Sequence, residues 1–340
     1  MTVKENVKPN RVRRFLTWGV GAIFSLLIVG AIYQQVATSA DQEKYPPYGE
    51  LVQVGDHKLH IHCIGQGSPT IIVDNGGGNW SITWLELQER LAEKTRVCVY
   101  DRAGLGSSEP GPMPRTSDVM VNELHQLLQN ANVPQPYVLV GHSLGGYNAR
   151  IYQDRYPNEV AGIALVEAGH EEQWSRLPQE ISDLVDEQIM IGKIGRALSY
   201  VGLLRLIAPP ELKQLPPDLR AAHTAAMVTP KTLNAIIAEV ESAEISANQL
   251  GQTGSLGDLP LVVVSARYSN NAFAEMAVTV DIPFEEADLA WFGLQEELVT
   301  LSSNSQHFVS EVGTHDINFD DPDLVVEAIN QLLVMIEANR

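Results

Sequence analysis

The sequence predicts an α/β fold with a mostly parallel sheet, a helical insertion, and one membrane-spanning helix in front of both. Three observations support this prediction. Short apolar runs alternate with longer amphipathic stretches along most of the chain, which is typical of strands joined by helices. The alternation breaks between residues 171 and 257, where helical patterns follow one another without a strand. An uncharged apolar run occupies residues 15–36, before the first strand-like segment.

The run at residues 15–36 predicts a transmembrane anchor. It can span the hydrocarbon core of a bilayer and exceeds the usual apolar core of a signal peptide. Arg11, Arg13 and Arg14 precede it, so we expect a cytoplasmic N-terminus and a periplasmic or extracellular body. The alternative is a cleaved secretory signal, because Thr38-Ser39-Ala40 resembles a cleavage site. Both interpretations place the body outside the cytosol.

The charge and the cysteines restrict the function classes. The formal net charge is −19, and the residues before the apolar run are basic, so the body is strongly acidic. An acidic body disfavours nucleic acid as a partner, because phosphate contacts need clustered lysine and arginine. The chain has two cysteines, Cys63 and Cys98, and neither has the spacing of a metal site.

The first two strands are expected as a hairpin over residues 50–64, because alternating runs flank Gly55-Asp56. Three histidines in this hairpin, His57, His60 and His62, raise the question of a metal site. They have no acidic or cysteine companion in the pattern, so histidines on a solvent-facing strand are the favoured interpretation and no metal is predicted.

A third strand at residues 69–74 ends in a glycine-rich loop, Asn75–Trp80. Three successive glycines allow backbone N–H groups to approach a ligand closely. A phosphate-binding loop is the competing interpretation, but the lysine and hydroxyl of a P-loop are missing.

The remaining elements follow from the same alternation. A loop after the next strand reads D-R-A-G-L-G-S-S, and we expect Asp101 and Arg102 to hold it in place. Further strands are expected at residues 97–100, 137–140, 160–166, 260–266 and 307–311, and helices at 82–92, 116–131, 147–156, 291–301 and 324–338.

The motif G-H-S-L-G lies between a buried strand and a helix, with Ser143 at its centre. Gly141 and Gly145 permit the tight turn that this arrangement needs. The serine hydroxyl is thereby placed at the N-terminus of the following helix, a position that favours developing negative charge.

This strand, turn and helix resemble the nucleophile elbow of the α/β-hydrolase fold superfamily, and the resemblance covers about residues 48–338. It implies a doubly wound, mostly parallel eight-stranded sheet with the insertion as a helical cap. The implied organisation is a cytoplasmic N-terminus, a transmembrane anchor, a linker, the first part of the core, the cap and the second part of the core, at residues 1–14, 15–37, 38–49, 50–170, 171–257 and 258–340.

The resemblance implies a serine hydrolase that cleaves a carboxylic ester of a small molecule through an acyl-enzyme on Ser143, without metal or organic cofactor. Lactonase, amidase, acyltransferase and cofactor-free haloperoxidase activities remain alternatives, as does a non-catalytic binding protein. A serine at the apex disfavours dehalogenase or epoxide hydrolase chemistry, which uses an aspartate nucleophile in this fold.

The superfamily's chain order of nucleophile, acid and histidine implies the other two catalytic residues. His315, on the loop after the last strand, is the expected base, with His307 as a rival. The usual position of the acid, residues 265–270, contains no carboxylate. The acid is then expected at an alternative position of the family, where Glu167 ends a strand, with Asp281 and Asp288 as further candidates.

Three further expectations come from the same resemblance. The oxyanion hole would use the N–H groups of Gly77 and Leu144. Asn75-Gly76 stands where the family usually has His-Gly, so the first donor could be a residue next to Gly77 instead. The strands that carry the two cysteines would be neighbours, so a disulfide is possible. The apolar segment 199–208 lines an acyl pocket, touches the membrane or, as favoured, forms the core of the cap.

Overall fold

The computed structural model describes residues 11–207, 211–268 and 281–339. Residues 1–10 of the expected cytoplasmic segment lie outside them, as do Ala208 at the end of the apolar segment and residues 269 and 270 of the usual acid position. Eight strands are present in the described part: β1 Glu50–Val54, β2 His57–Ile64, β3 Thr70–Asp74, β4 Val97–Tyr100, β5 Tyr137–His142, β6 Val160–Val166, β7 Leu261–Ala266 and β8 Ser305–Ser310.

The helices of the described residues fall into three groups along the chain. The first, before the cap, are α1 Arg11–Lys44, α2 Leu85–Leu91, α3 Ser117–Asn130 and α4 Leu144–Arg155. The second are α5 Gln173–Arg176, α6 Gln179–Tyr200, α7 Pro217–Met227, α8 Pro230–Glu241 and α9 Ala243–Leu250. The third are α10 Phe284–Val299, α11 Ile317–Asp320 and α12 Pro322–Ala338. Short 3₁₀ turns occupy Ser81–Trp84, Pro157–Glu159 and Leu203–Leu206.

All eight strands form one sheet in the order β1-β2-β4-β3-β5-β6-β7-β8. β2 pairs antiparallel with β1 and with β4, and every other pair is parallel. β3 and β5 are neighbours, so their carboxyl ends bring the glycine-rich loop beside the G-H-S-L-G turn. The predicted eight-stranded, mostly parallel sheet is confirmed.

The strands are buried on both faces, which explains their continuous apolar runs. In β5, Leu139 belongs to the apolar core on one face, while Val138 and Val140 belong to the core on the other. Helices α3, α4 and α9 cover the first face, and α2 and α12 cover the second. The sheet is therefore doubly wound, and its carboxyl edge is left for the loops that carry the predicted site.

The insertion differs from the expected cap at its C-terminal end. Ala247 and Leu250 of α9 pack into the core against α3 and α4, and Ser246 Oγ accepts a hydrogen bond from Ser117 N–H at 2.9 Å. α9 therefore belongs to the layer that covers the sheet. α8 lies over the glycine-rich loop, where Ile236 adjoins Gly78.

Helix α1 is longer than the predicted anchor. It continues to Lys44, through much of the segment expected as a linker, because polar contacts to the cap hold its last turns in place. By length and composition, Phe15–Lys44 is the one helix of the described residues that qualifies to cross a membrane.

Two expectations about side-chain burial are wrong. His57 and His60 are both buried, on opposite faces of β2. His57 Nε2 lies 3.3 Å from Oε1 of Glu123 on α3, and His60 Nδ1 lies 3.0 Å from Oδ2 of Asp101 in the loop after β4. The apolar segment 199–207 is not the core of the cap, since Tyr200, Leu206 and Ile207 are more than half exposed. The predicted disulfide is present: Cys63 and Cys98 face each other in the β2–β4 pair and are joined.

Candidate active site

Ser143 occupies the turn between β5 and α4 with φ 51° and ψ −117°, a strained backbone conformation for a residue with a side chain. The flanking glycines make this turn possible. A Cβ on Gly145 would lie 2.1 Å from the Asp74 carbonyl oxygen, and one on Gly141 would lie 2.4 Å from the Gly145 carbonyl oxygen. Because no larger residue fits at either position, the motif's glycines fix the serine at the carboxyl edge of the sheet.

Ser143 is the first member of a chain of hydrogen bonds. Its Oγ lies 3.0 Å from Nε2 of His315, on the loop between β8 and α11. Nδ1 of the same imidazole lies 3.1 Å from Oε2 of Glu167, immediately after β6. The structure thus brings together these three predicted residues, although 148 positions separate the glutamate from the histidine.

The Glu167 carboxylate is fully buried and held by N–H donors. Its Oε1 accepts a hydrogen bond from the Ala266 backbone N–H at 2.6 Å, and its Oε2 accepts one from Trp291 Nε1 at 2.9 Å. Glu167 itself has a positive φ of 44°, which turns its side chain towards the histidine loop. Sequence reasoning missed both supporting donors. A hint was available, because Ala266 stands at the family's usual acid position and supplies an N–H group there instead.

The environment of His315 shifts its pKa. Burial lowers the pKa of the imidazole, but the hydrogen bond and negative charge of Glu167, with a contribution from Asp316, more than offset this effect. The net result is a pKa above the ordinary value of 6.5. Because Nδ1 faces a carboxylate acceptor, its proton points towards Glu167 and Nε2 is left to accept the Ser143 proton.

His142, inside the elbow, supports the histidine loop. Burial, and then the proximity of His315, lower the pKa of His142 to about 4, so its ring is neutral at physiological pH. Its Nε2 lies 2.8 Å from the His315 carbonyl oxygen, and a neutral ring can donate there. The side chain of His142 therefore fixes the backbone of His315.

The other predicted candidates lie elsewhere. His307 is in β8, where its Nε2 lies 2.7 Å from Ser265 Oγ. Asp281 is exposed just before α10, and Asp288 is buried within that helix. The carboxylate within hydrogen-bond distance of His315 Nδ1 is that of Glu167.

The glycine-rich loop passes directly over the elbow. A Cβ on Gly76 would lie 3.3 Å from Ser143 Cβ, and one on Gly77 would lie 3.7 Å from the Leu144 side chain. Gly77 is exposed, so this contact with the first residue of α4 lies on the open side of the site. The two residues that were predicted to supply the oxyanion N–H groups are thus neighbours.

A buried arginine holds this loop from beneath. Arg102 Nη1 donates to the Asn75 carbonyl oxygen and Nη2 to the Gly76 carbonyl oxygen, both at 2.6 Å. Two carboxylates neutralise its charge: Asp74, 2.7 Å from Nη1, and Glu239 of α8, 2.8 Å from Nε. Glu239 also accepts a hydrogen bond from the Gly78 N–H at 2.8 Å. Arg102 of the D-R pair therefore fixes more than its own loop, since it also positions the glycine-rich loop.

Among the residues that the structure describes, no group of three or more histidine, cysteine or acidic side chains is arranged to hold a metal ion. The chemistry available to the site comes from a serine hydroxyl, a paired imidazole and carboxylate, and backbone N–H groups.

Residues 69–191 match a family model described as the alpha/beta hydrolase fold. A pimeloyl-[acyl-carrier protein] methyl ester esterase of Shewanella oneidensis is 31% identical over 170 residues, which is 47% of this chain and 60% of the relative. Four other curated relatives are much longer, and the matched region spans only 27 to 43% of them.

Solved structures show the same fold at low identity. A thermophilic esterase from Thermogutta terrifontis aligns with 84% of this chain and 98% of its own, at a TM-score of 0.57 and 18% identity. The haloalkane dehalogenase DatA from Agrobacterium tumefaciens C58 aligns with 84% of this chain and 96% of its own, at a TM-score of 0.64 and 16% identity. The sheet order and these alignments show that the chain has the α/β-hydrolase fold, and residues 69–191 match the sequence pattern of that family.

Proposed function

We propose that this protein is a serine hydrolase that cleaves a carboxylic ester of a small molecule through an acyl-enzyme on Ser143. The observation that carries the proposal is the continuous hydrogen-bonded chain from Ser143 through His315 to Glu167. A serine hydroxyl is a weak nucleophile at neutral pH and needs a base in contact with it, and the base needs an orienting acid. All three are in place at the carboxyl edge of the sheet.

In the first half-reaction, Ser143 Oγ attacks the ester carbonyl carbon and its proton passes to His315 Nε2. The tetrahedral intermediate then expels the alcohol, which takes the proton from the imidazole. In the second half, His315 removes a proton from water, the hydroxide attacks the acyl-enzyme, and Ser143 regains its proton as the acid leaves. Glu167 holds the tautomer and stabilises the imidazolium in both halves.

The negative oxygen of each tetrahedral intermediate would be bound by the N–H groups of Gly77 and Leu144. Leu144 opens α4, where the helix dipole favours negative charge. Arg102 supports the other donor, because it fixes the carbonyl groups that precede Gly77 and so orients the peptide N–H groups of the loop. Donors held in place before reaction stabilise charge at no reorganisation cost.

Two considerations favour ester hydrolysis over the alternatives. The nucleophile position holds serine, whereas dehalogenases and epoxide hydrolases of this fold use aspartate there. The intact and mutually bonded triad disfavours a purely binding role, which has no need of it. Methyl ester cleavage by the curated relative from Shewanella oneidensis agrees with this choice.

The proposed location is a single-pass membrane protein with its catalytic body outside the cytosol. Support comes from the apolar run of α1 at residues 15–36, which follows Arg11, Arg13 and Arg14, and from the Cys63–Cys98 disulfide, since disulfides persist in oxidising compartments. Protease added to intact spheroplasts should remove the body, whereas protection of the body would reverse the topology.

Labelling with a fluorophosphonate tests the nucleophile. Wild-type protein should be labelled, Ser143→Ala should not, and Ser107→Ala, a loop serine, should label like wild type. A panel of soluble esters of graded acyl length then identifies the preferred acyl group. Absence of labelling that depends on Ser143 would overturn the enzyme assignment.

A further inference from the structure

We propose that the outer part of the cap, residues 188–207, lies against the phospholipid bilayer beside α1. These residues are called the cap ridge here. They comprise the second half of α6 and the 3₁₀ turn that follows it. The inference goes beyond the proposed activity and rests only on the proposed membrane location of α1.

The first step is that α1 is fixed to the cap ridge. Arg205 holds the helix at three points: its Nε donates to Gln34 Oε1 at 2.8 Å, its Nη1 to Asp41 Oδ2 at 2.7 Å, and its Nη2 to Thr38 Oγ1 at 3.1 Å. The arginine side chain is only 11% exposed, so these are sheltered contacts. Gln34 is 4% exposed. The body is thus joined rigidly to the helix.

The second step is that the contact reaches into the apolar part of α1. A Cβ on Gly30 would lie 2.3 Å from the Val201 carbonyl oxygen, and one on Gly202 would lie 2.7 Å from the Tyr33 ring. Glycine on both surfaces therefore lets the two backbones approach closely. The polar contacts of Arg205 start one residue beyond Tyr33.

The third step is the depth that this contact implies. The uncharged run ends at Val36, and Gly30 precedes that end by about 9 Å along the helix, at a rise of about 1.5 Å per residue. A hydrocarbon core about 30 Å thick needs nearly the whole run from Phe15 onwards. Val201 and Gly202 touch α1 within its last apolar turns, so the cap ridge reaches the level of the membrane surface.

The composition of the cap ridge matches that position. The chain contains 42 aspartate and glutamate residues, but none lies between 188 and 207. Of the basic residues there, Arg205 is engaged by α1 and Lys193 pairs with Glu241 of α8, so the property that favours a negatively charged lipid surface is the absence of acidic side chains. The large apolar side chains exposed on the cap ridge are Met190, Ile191, Ile194, Tyr200, Leu203, Leu206 and Ile207. Exposed apolar surface flanked by basic side chains is typical of segments that lie in a membrane interface.

Spin labels on the full-length protein in vesicles of phosphatidylcholine with a minority of phosphatidylglycerol test the proposal. Both native cysteines are bridged, so one introduced cysteine gives one labelling site. Leu206→Cys, at a position 73% exposed, reports on the cap ridge. Phe24→Cys reports on α1, and Val334→Cys, at an exposed position near the end of α12, reports on the body.

Collision rates with oxygen, which concentrates in lipid, and with a water-soluble nickel chelate give the depth of each label. We expect the Phe24 label to be deep, the Leu206 label to be shallow but sheltered from the chelate, and the Val334 label to be fully accessible to it.

If the labels at 206 and 334 are equally accessible while the label at 24 is deep, the cap ridge proposal fails and the anchor stands. Broadening at 206 that disappears on dilution with unlabelled protein would show a second copy as the occupant and would also overturn it. If the label at 24 is accessible to the chelate, both the anchor and the cap ridge proposals fail. None of these readouts depends on hydrolysis, so they leave the assignment of Ser143 untouched.

Discussion

At the carboxyl edge of the sheet, charged side chains are buried and matched with partners, whereas on the cap ridge apolar side chains are exposed to the surroundings. Glu167 and Arg102 are within 2% of full burial, and each is held by several hydrogen bonds. Leu206 and Ile207 have no such shelter. Burial of a polar network fixes geometry, because each partner lost leaves an unsatisfied group at high cost. A large exposed apolar surface instead indicates that another apolar surface, such as a partner or a membrane, covers it. In this molecule the two properties are separated: the buried polar network lies at the proposed active site, and the exposed apolar surface lies on the cap ridge, which is proposed to meet the membrane.

The largest expected effect comes from the acid of the triad. In Glu167→Gln the amide N–H₂ group must face either the Ala266 N–H at the Oε1 position or Trp291 Nε1–H and His315 Nδ1–H together at the Oε2 position, and all of these are donors. The negative charge beside the imidazole is lost in both orientations, and the second also removes the acceptor that holds the histidine tautomer. The matching change in a serine protease lowers turnover about 10⁴-fold, and we expect a fall of roughly 10²–10⁴ in ester turnover here.

The control for this change is Asp288→Asn, a buried acid on α10. It should keep most of its activity, with thermal melts confirming that both variants fold. The opposite pattern, in which Asp288→Asn abolishes turnover and Glu167→Gln does not, would assign the acid to Asp288.

The next largest effect should come from the buried ion pair between the cap and the core. Glu239→Gln removes a charge partner of Arg102, whose side chain is 2% exposed. Asp74 still pairs with the guanidinium, so the loss comes from the hydrogen bonds to the missing carboxylate. The N–H₂ group of the glutamine would face an N–H donor of Arg102 or Gly78, and two weakened hydrogen bonds to charged groups amount to about 3–5 kcal/mol of folding free energy. Glu241→Gln, on the same helix but with an exposed partner in Lys193, should cost about 0–1 kcal/mol. Urea unfolding measures both, and equal losses would contradict the role of the buried pair.

The disulfide should contribute a smaller term. It closes a loop of 35 residues between Cys63 and Cys98, and bridges of this kind typically contribute about 2–4 kcal/mol. Replacing both cysteines by serine should lower the free energy of unfolding by this amount, and a reductant should lower the stability of wild type but not of the variant. Two free thiols in the unreduced, denatured protein would show that the bridge is absent.

The smallest effect is a shift in pH dependence. His315 acts as a base only when neutral, and its pKa is raised above 6.5, chiefly because Glu167 outweighs the effect of burial. The value of kcat/KM should therefore rise with pH through a midpoint above 6.5. Removing the Glu167 charge should move the midpoint of the residual activity down. A midpoint that stays fixed in Glu167→Gln would contradict the coupling.

Local signals made much of the fold and site predictable. Gly141 and Gly145 are required by contacts within the turn itself, and the strands are recognisable because burial on both faces leaves continuous apolar runs. His315 followed from its place after the last strand. The hydrogen bonds that hold the Glu167 carboxylate could not be predicted in this way. Their donors, Ala266 and Trp291, lie 99 and 124 positions away, and every residue type except proline has a backbone N–H, so the sequence does not mark the one that is used.

The cap was harder to predict because apolar composition does not reveal what will cover it. Residues 199–207 would have the same composition in a cap core and at a membrane surface, and it is their exposure, together with the packing of α1 against them, that excludes the first and supports the proposed second. The burial of His57 and His60 likewise depends on distant parts of the chain, Glu123 of α3 for the first and Asp101 after β4 for the second.

Glu239 connects helix α8 of the cap to the glycine-rich loop beside Ser143. One of its oxygens accepts the Gly78 N–H, and both contact Arg102, which in turn grips the carbonyl groups of the glycine-rich loop. If α8 moved away from the sheet, the Arg102 guanidinium would keep only Asp74 as a paired carboxylate, and the glycine-rich loop would lose the hydrogen bond from Gly78 N–H to Glu239. Because Glu239 of α8 is bonded to both Gly78 and Arg102, α8 and the glycine-rich loop are expected to move together, and an opening of the cap that keeps the proposed oxyanion site intact would have to leave α8 in place.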